Sequence, residues 1–230
     1  ISILGNHELY PYYYYNDVSF NNKYVKNVDL ENYKKLYNVS RFKYYKPGEG
    51  NGAKIFGKTR PLIVQLGKFI FCHGSLNKEF LELCLKNNLN KTKNSKFIDI
   101  SNLNKIVSEW LTGESKKVPF FINKLDHINP LFNRDLTDPV KLSKYECVNL
   151  VDNILSFFNN ANYLVMGHSS HKNINTLCNN TVYRTDIAIS RAFGGSFKKN
   201  ITRLQVLEIN QKNIFIKTNI ITPKGKIKII

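Results

Sequence analysis

No run of apolar residues in this 230-residue chain approaches the roughly 18 that a membrane-spanning helix needs. The N-terminus also lacks a basic stretch followed by an apolar core, so no secretory signal is visible and the cytosol is the default compartment. Cysteine is scarce and scattered. Cys72, Cys84, Cys147 and Cys178 form no C-x-x-C pair, which argues against a zinc knuckle or a disulfide framework and for reduced thiols. Methionine occurs once, at Met166, and the chain opens on Ile1, so a longer translation product is expected. No repeat and no Pro- or Gly-rich linker divides the chain, and one domain spanning 1–230 is expected. With 42% hydrophobic and 22% charged residues, disordered, collagen-like and coiled-coil classes are excluded.

Acidic residues are also few. Seventeen Asp and Glu stand against 34 Lys and Arg, giving a net charge of +17 and a pI near 9.7. Such a field suits anionic partners, whether phosphoesters or nucleic acid. The basic residues are mostly lysines spread singly through an Asn- and Ile-rich chain, and no block of five or six like charges occurs. That distribution is the mark of a solvated surface more than of a nucleic-acid footprint. The tyrosines Tyr12 to Tyr15 read as surface cover for the same reason, with no RNA-binding strand pattern around them.

What is present is a set of short apolar strands and amphipathic helices. Ile1 to Leu4 reads as the end of a buried strand stopped by Gly5. Residues 10 to 59 read as irregular, with a short helix around Leu30 to Tyr37. The glycines at Gly48, Gly50, Gly52 and Gly57 follow no strand and are expected to open no helix, which disfavours a dinucleotide loop. Pro61 to Leu66 and Phe69 to Cys72 form a hairpin signal around Gly67-Lys68. Helical spacing marks Leu76 to Leu85, Ile100 to Leu111 and Val140 to Phe158. Tyr163 to Met166 is a strand, and Thr181 to Ile187, Leu204 to Ile209 and Ile214 to Ile220 close the chain, the last two joined by Asn210 to Asn213. Early alternation followed by antiparallel strands predicts an α/β fold, a mixed two-sheet sandwich flanked by helices.

Three segments repeat one design: an apolar strand, then a glycine beside a histidine. They are Leu4-Gly5-Asn6-His7-Glu8, Phe71-Cys72-His73-Gly74 and Val165-Met166-Gly167-His168. Side chains just past the carboxyl ends of strands converge on one crevice in α/β sheets. Three of the five histidines at equivalent positions therefore point to a shared metal or catalytic site.

G-N-H-E, F-C-H-G and M-G-H-S, in that order, resemble the calcineurin-like metallophosphoesterase superfamily, and within it the Shewanella-like branch of phosphoprotein phosphatases. The likeness runs over nearly the whole chain. Pro130-Leu131-Phe132-Asn133-Arg134 is similar to the segment that carries a phosphate-binding arginine, and Tyr183 to Asp186 through Ser190 to Phe193 resembles the closing strand and loop. The resemblance implies two divalent ions, manganese, iron or zinc, sharing a hydroxide that attacks phosphorus in line. It implies Asn6, His73 and His168 as ligands of the second ion, His7 as the general acid that protonates the leaving oxygen, and Arg134 as the phosphate fork. Glu8 is expected to orient its surroundings and Asp186 to be structural. The implied activity is hydrolysis of phosphomonoesters on protein serine, threonine or tyrosine, or on small molecules, without a membrane.

The family's D-x-H and G-D-x-x-D-R segments have no counterpart in these 230 residues. They would supply the first ion's ligands and the bridging aspartate. The chain as given is thus expected to be an incomplete, inactive form of the domain, with the missing segments upstream. Phe132 replaces a usual tryptophan, and Ser75 and Ser169 are mild departures. His171 sits three residues after His168, where phosphodiesterase relatives place a ligand two residues after, so it is not expected to bind metal; nor is His127. Two alternatives stand beside the phosphatase: a hydrolase of nucleotide or dinucleotide polyphosphates, and a metal-free basic binding module that keeps the fold.

Overall fold

In the computed structural model, which describes residues 2–9, 12, 34–35, 40–92, 95–124, 127–138, 142–187, 204–210, 214–221 and 227–229, the centre is a five-stranded mixed sheet. The strands Ile63–Leu66 (β1) and Phe69–Cys72 (β2) form the expected hairpin, with Gly67 at φ 57° in the turn, a conformation that glycine adopts without penalty. Tyr163–Met166 (β3), Asn175–Leu177 (β4) and Val182–Arg184 (β5) complete it in the order β1-β2-β3-β5-β4. β2, β3 and β5 run parallel, and β1 and β4 flank them antiparallel. Leu204–Ile209 (β6), Ile214–Ile221 (β7) and Ile227–Ile229 (β8) make a second, antiparallel sheet. Gln205 joins this sheet to the residues before β4, accepting from the Ile174 amide at 2.5 Å and donating to Asn173 Oδ1 at 3.2 Å. The α/β class and the mixed sheet are as the sequence predicts.

Five helices are named among the described residues. Arg41–Tyr44 (α1) and Asn51–Thr59 (α2) lie where an irregular stretch was expected. The glycine run does open a helix, with Gly50 as its N-cap, which corrects the sequence expectation. The glycines are there for packing. A Cβ at Gly50 would lie 2.1 Å from the Tyr44 carbonyl oxygen, and one at Gly57 would lie 2.9 Å from Leu111 Cβ on the facing helix. The Gly48 and Gly50 amides are spent on Leu111 O and Lys46 O, so they form no phosphate cradle. Lys78–Lys86 (α3), Ile100–Thr112 (α4) and Lys144–Leu155 (α5) match the other three predicted helices; α3 starts two residues later and α5 is shorter at both ends, while α3 and α4 each run one residue further at the C-terminal end. Asn77 caps α3 through the Phe80 amide, and Ser143 and Glu146 form a capping box on α5, which moves its start inward from Val140. Of the residues whose spacing puts them on one face of α4, Leu103, Val107, Trp110 and Leu111 are buried and Ile106 is half-buried, each fully buried leucine contributing about 1.5–3 kcal/mol. Among the described residues no helix is long and apolar enough to cross a membrane.

Three further expectations are revised. Residues 2–5 form no strand; buried Leu4 makes one backbone bond, to Pro61 O at 3.0 Å, and no ladder follows. Cys147 and Cys178 form a disulfide across 31 residues, tying α5 to the β4–β5 turn. Sequence spacing does not reveal a bridge that tertiary packing creates, and the bridge removes reduced thiols as a ground for a cytosolic location. Cys72 and Cys84 are free and buried. Tyr12 packs edge-on against Trp110 and donates to Asn123 Oδ1 at 3.0 Å, a covering role as expected. Tyr13 to Tyr15, most of the Leu30 to Tyr37 helix, and Ser190 to Phe193 lie outside the described residues.

Candidate active site

The parallel register of β2 and β3 pairs Phe69 with Tyr163, Ile70 with Leu164 and Phe71 with Val165. Both strands therefore end at one level, and the ladder continues one step further, where the Gly167 amide donates to His73 O at 2.9 Å. His73 and His168 leave that shared edge side by side, their ring centroids 4.8 Å apart. His168 has φ 68°, a left-handed conformation costly for a residue with a Cβ. The loop bends sharply there to turn the ring inward.

Asn6 arrives from a helical turn at residues 6–9 and is buried, with Oδ1 2.8 Å from His73 Nε2. His73 Nε2 in turn lies 3.0 Å from His168 Nδ1. Burial, then the neighbouring His168, His7 and Arg134, pushes His73 down to about 3. Burial and Arg134, with a smaller push from His7, take His168 down to about 4 against the opposing Phe132 carbonyl and Asp138. Both rings are neutral at pH 7, each with one N–H and one lone pair. A single proton at His73 Nε2 cannot serve two neighbours well, and the buried His168 Nε2 has no hydrogen-bond partner among the described residues.

A divalent cation would resolve that crowding. Two imidazole nitrogens about 2.0–2.1 Å from one tetrahedral ion stand roughly 3.4 Å apart, and closer where the angle between them narrows. The observed His73 to His168 separation is 3.0 Å, and Asn6 supplies a third donor. The donor set fits one ion. Among the described residues no cluster of three or more His, Cys, Asp or Glu side chains forms, so no carboxylate completes this site or a neighbouring one.

His7 is exposed and lines a cleft of about 130 Å3 with Glu8, Arg41, Tyr45 and Phe56. Partial desolvation, then Arg41, lowers its pKa, and Glu8 opposes them. Glu8 holds the turn: its carboxylate takes the Gly5 amide at 2.9 Å and the Arg60 guanidinium, which lies 4.2 Å from the Phe56 ring centroid. Gly5 permits this, since a Cβ there would meet Glu8 Oε2 at 2.9 Å and the His73 ring at 3.2 Å.

Arg134 comes from the segment packed under Gly74. The Gly74 and Ser75 amides donate to Pro130 O and Asn133 O, and a Cβ at Gly74 would lie 2.6 Å from Pro130 O. Ser75 Oγ accepts from the Leu136 amide at 2.8 Å, so the departure at that position is absorbed by a bond. Phe132 is buried. Arg134 is about half exposed and bonds Ser169 Oγ at 3.3 Å and Asp138 Oδ1 at 3.4 Å.

The five predicted residues Asn6, His7, His73, Arg134 and His168 thus gather at the end of β2 and β3. His171 does not join them; its Nε2 donates to Thr137 O at 2.7 Å. Exposed His127 faces Glu79 at 3.6 Å. Asp186 accepts from the His171 amide through its backbone carbonyl. Arg41, Arg60 and Asp138 were missed. No local motif marks Arg41 or Arg60, and Asp138 carries only its spacing of four from Arg134. A larger cleft, about 520 Å3, lies by Phe97, Leu155 and Tyr163 at the opposite end of β3, away from the histidines.

No protein-family model and no curated protein sequence matches this chain. Solved structures do. The cold-active protein-tyrosine phosphatase of a psychrophilic Shewanella species is similar with a TM-score of 0.59 at 17% identity, over 99% of this chain and 57% of that one. A second structure of cold-active protein tyrosine phosphatase gives 0.58 at 16% identity, over 99% and 56%. The chain therefore has a phosphatase-like fold and spans a little over half the length of those proteins.

Proposed function

We propose that this chain is the larger part of a metal-dependent phosphoesterase domain of the calcineurin-like superfamily, in its Shewanella-like branch, with that family's two-sheet sandwich. The observation that carries the proposal is the meeting of Asn6 Oδ1, His73 Nε2 and His168 Nδ1 in steps of 2.8 and 3.0 Å, two of them neutral rings, beside an orphaned imidazole nitrogen. The three residues would hold one divalent ion, manganese, iron or zinc, and a second ion would take ligands from outside this chain. When bound, such ions activate water and neutralise charge growing on the phosphoryl oxygens.

The chain's own residues then have separate tasks. Arg134 offers the free side of its guanidinium to phosphate oxygens. His7 sits at the cleft mouth, where it can hand a proton to the departing oxygen; the phosphate dianion beside it raises its lowered pKa. Glu8 and Arg60 hold the turn that aims it. Substrates are phosphomonoesters on protein serine, threonine or tyrosine. The similar solved proteins are described as tyrosine phosphatases, which supports an aryl phosphate among them.

With three donors for one ion, no carboxylate completing the site among the described residues and no D-x-H or G-D-x-x-D-R segment in the sequence, the 230 residues alone should hydrolyse p-nitrophenyl phosphate no faster than buffer with manganese. They should still bind one manganese weakly, and His73→Ala should abolish that binding. Robust turnover lost on His168→Ala would mean that a carboxylate of this chain completes the site. Failure to bind any metal would favour the binding-module alternative.

A further inference from the structure

The loop that carries His168 is tied to the Arg134 segment by more bonds than phosphate binding or metal binding requires. Asp138 Oδ1 accepts from the Ser169 hydroxyl and from Arg134 Nη1. The Asp138 backbone carbonyl accepts from Arg184 Nη1 at 3.0 Å, which anchors the residue to the end of β5. Ser169 is 6% exposed, and its one hydroxyl has one proton to give and two lone pairs to receive. Its proton goes to Asp138, and its oxygen receives Thr137 Oγ1 at 2.9 Å and Arg134 Nη1 at 3.3 Å. His171 closes the tie from the other side through Thr137 O.

An exposed arginine on a flexible stem samples many rotamers, and fixing one before a ligand arrives lowers the cost of binding. An isolated surface ion pair fixes little. This pair is not isolated, because the acceptor is held on its other side by a buried hydroxyl and by the backbone of its own residue. Among the described residues both bonds to the guanidinium run to Nη1, which leaves the Nη2 edge of the fork for an anion.

We propose that Asp138 is a positioning residue that, with Ser169, holds the Arg134 guanidinium beside His168 ready for phosphate. The proposal rests on the phosphate role given to Arg134 above. Asp138 itself touches neither substrate nor metal.

The test is a calorimetric titration of inorganic phosphate into the full gene product in the presence of manganese. The forms compared are unaltered, Arg134→Ala, Asp138→Ala, Asp138→Asn and the double variant Arg134→Ala/Asp138→Ala. Asp138→Ala should weaken phosphate binding on the order of threefold to tenfold, the worth of ordering one long side chain. The same change should have no effect in the Arg134→Ala background, a non-additivity that a merely structural role does not produce. Asp138→Asn keeps an acceptor for Ser169 and should recover part of the loss; it also serves if Asp138→Ala fails to fold. Manganese stoichiometry should be the same in all forms. Equal losses in both backgrounds, or tighter phosphate binding in Asp138→Ala, would overturn the proposal. Unchanged affinity in Arg134→Ala would overturn the phosphate role of Arg134, and the positioning role would go with it.

Discussion

His73 and His168 differ from His7 in backbone context and in enclosure. The first two leave neighbouring parallel strands at one level, are largely enclosed, and are held neutral at about 3 and about 4. His7 stands on a helical turn at the surface, in a cleft with a cation and two aromatic rings. Enclosure removes protons and leaves lone pairs, which suits ligation. Exposure lets a ring exchange protons with solvent, which suits acid catalysis. Backbone context therefore gives different surroundings to three histidines that each stand within two residues of a glycine.

The largest effect should fall on the enclosed pair. In the full gene product His73→Ala removes a donor, and both bound metal and kcat should fall, the rate by roughly a thousandfold. Metal content by atomic absorption, alongside turnover, checks this. Full metal occupancy with lost activity would erase the distinction between the two kinds of histidine.

The enclosed pair was legible because F-C-H-G and M-G-H-S follow strands whose length and apolarity are local properties. β2 and β3 begin and end where the sequence places them, and so the site's floor could be located. The surroundings were not legible, because they depend on contacts between distant segments. Arg60 meets Glu8 across 52 residues, and Ser169 meets Asp138 across 31. Glycines that pack α2 against α4 look in sequence like loop glycines. The disulfide belongs to the same kind: neither Cys147 nor Cys178 has a nearby partner until α5 and the β4–β5 turn come together.

That bridge encloses β3 and the His168 loop but not His7, so it offers a second way to sharpen the contrast. Closing a loop of 31 residues stabilises the fold by about 2–4 kcal/mol through the unfolded chain. Cys147→Ser should lower the urea midpoint accordingly and leave the arrangement of Gly5, Glu8 and Arg60 intact. An unchanged midpoint, with both thiols free by mass spectrometry, would show that the two sulfurs are not joined in solution.

Next comes the exposed histidine. A general acid matters only for expelling the leaving oxygen, so His7→Asn should lower kcat by roughly a hundredfold on alkyl phosphates. Metal content should be nearly unchanged. An aryl phosphate with an acidic phenol needs little protonation and should lose much less. Equal losses on both substrates, with chemistry rate-limiting, would take His7 out of the acid role and leave it a structural neighbour of Asn6.

The smallest effect is on stability against pH, and it isolates the enclosed pair without any substrate. His73 and His168 titrate in the native metal-free chain at about 3 and about 4, below the 6.5 of an unfolded histidine. Between those values the unfolded chain binds protons that the native chain refuses, so stability rises with pH across that window. Above 6.5 neither state binds them and their contribution is flat. Acidifying from pH 7 to pH 5 should therefore cost about 2 kcal/mol for His73 and about half that for the partly exposed His168. Carboxylates add their own losses at lower pH, so the useful quantity is the difference between the unaltered chain and His73→Asn/His168→Asn, each followed by urea denaturation at the two pH values. The double variant should have a flatter dependence, since asparagine does not titrate. Parallel dependences would mean that the two rings are open to protons in the native state, and the contrast with His7 would then rest on geometry alone.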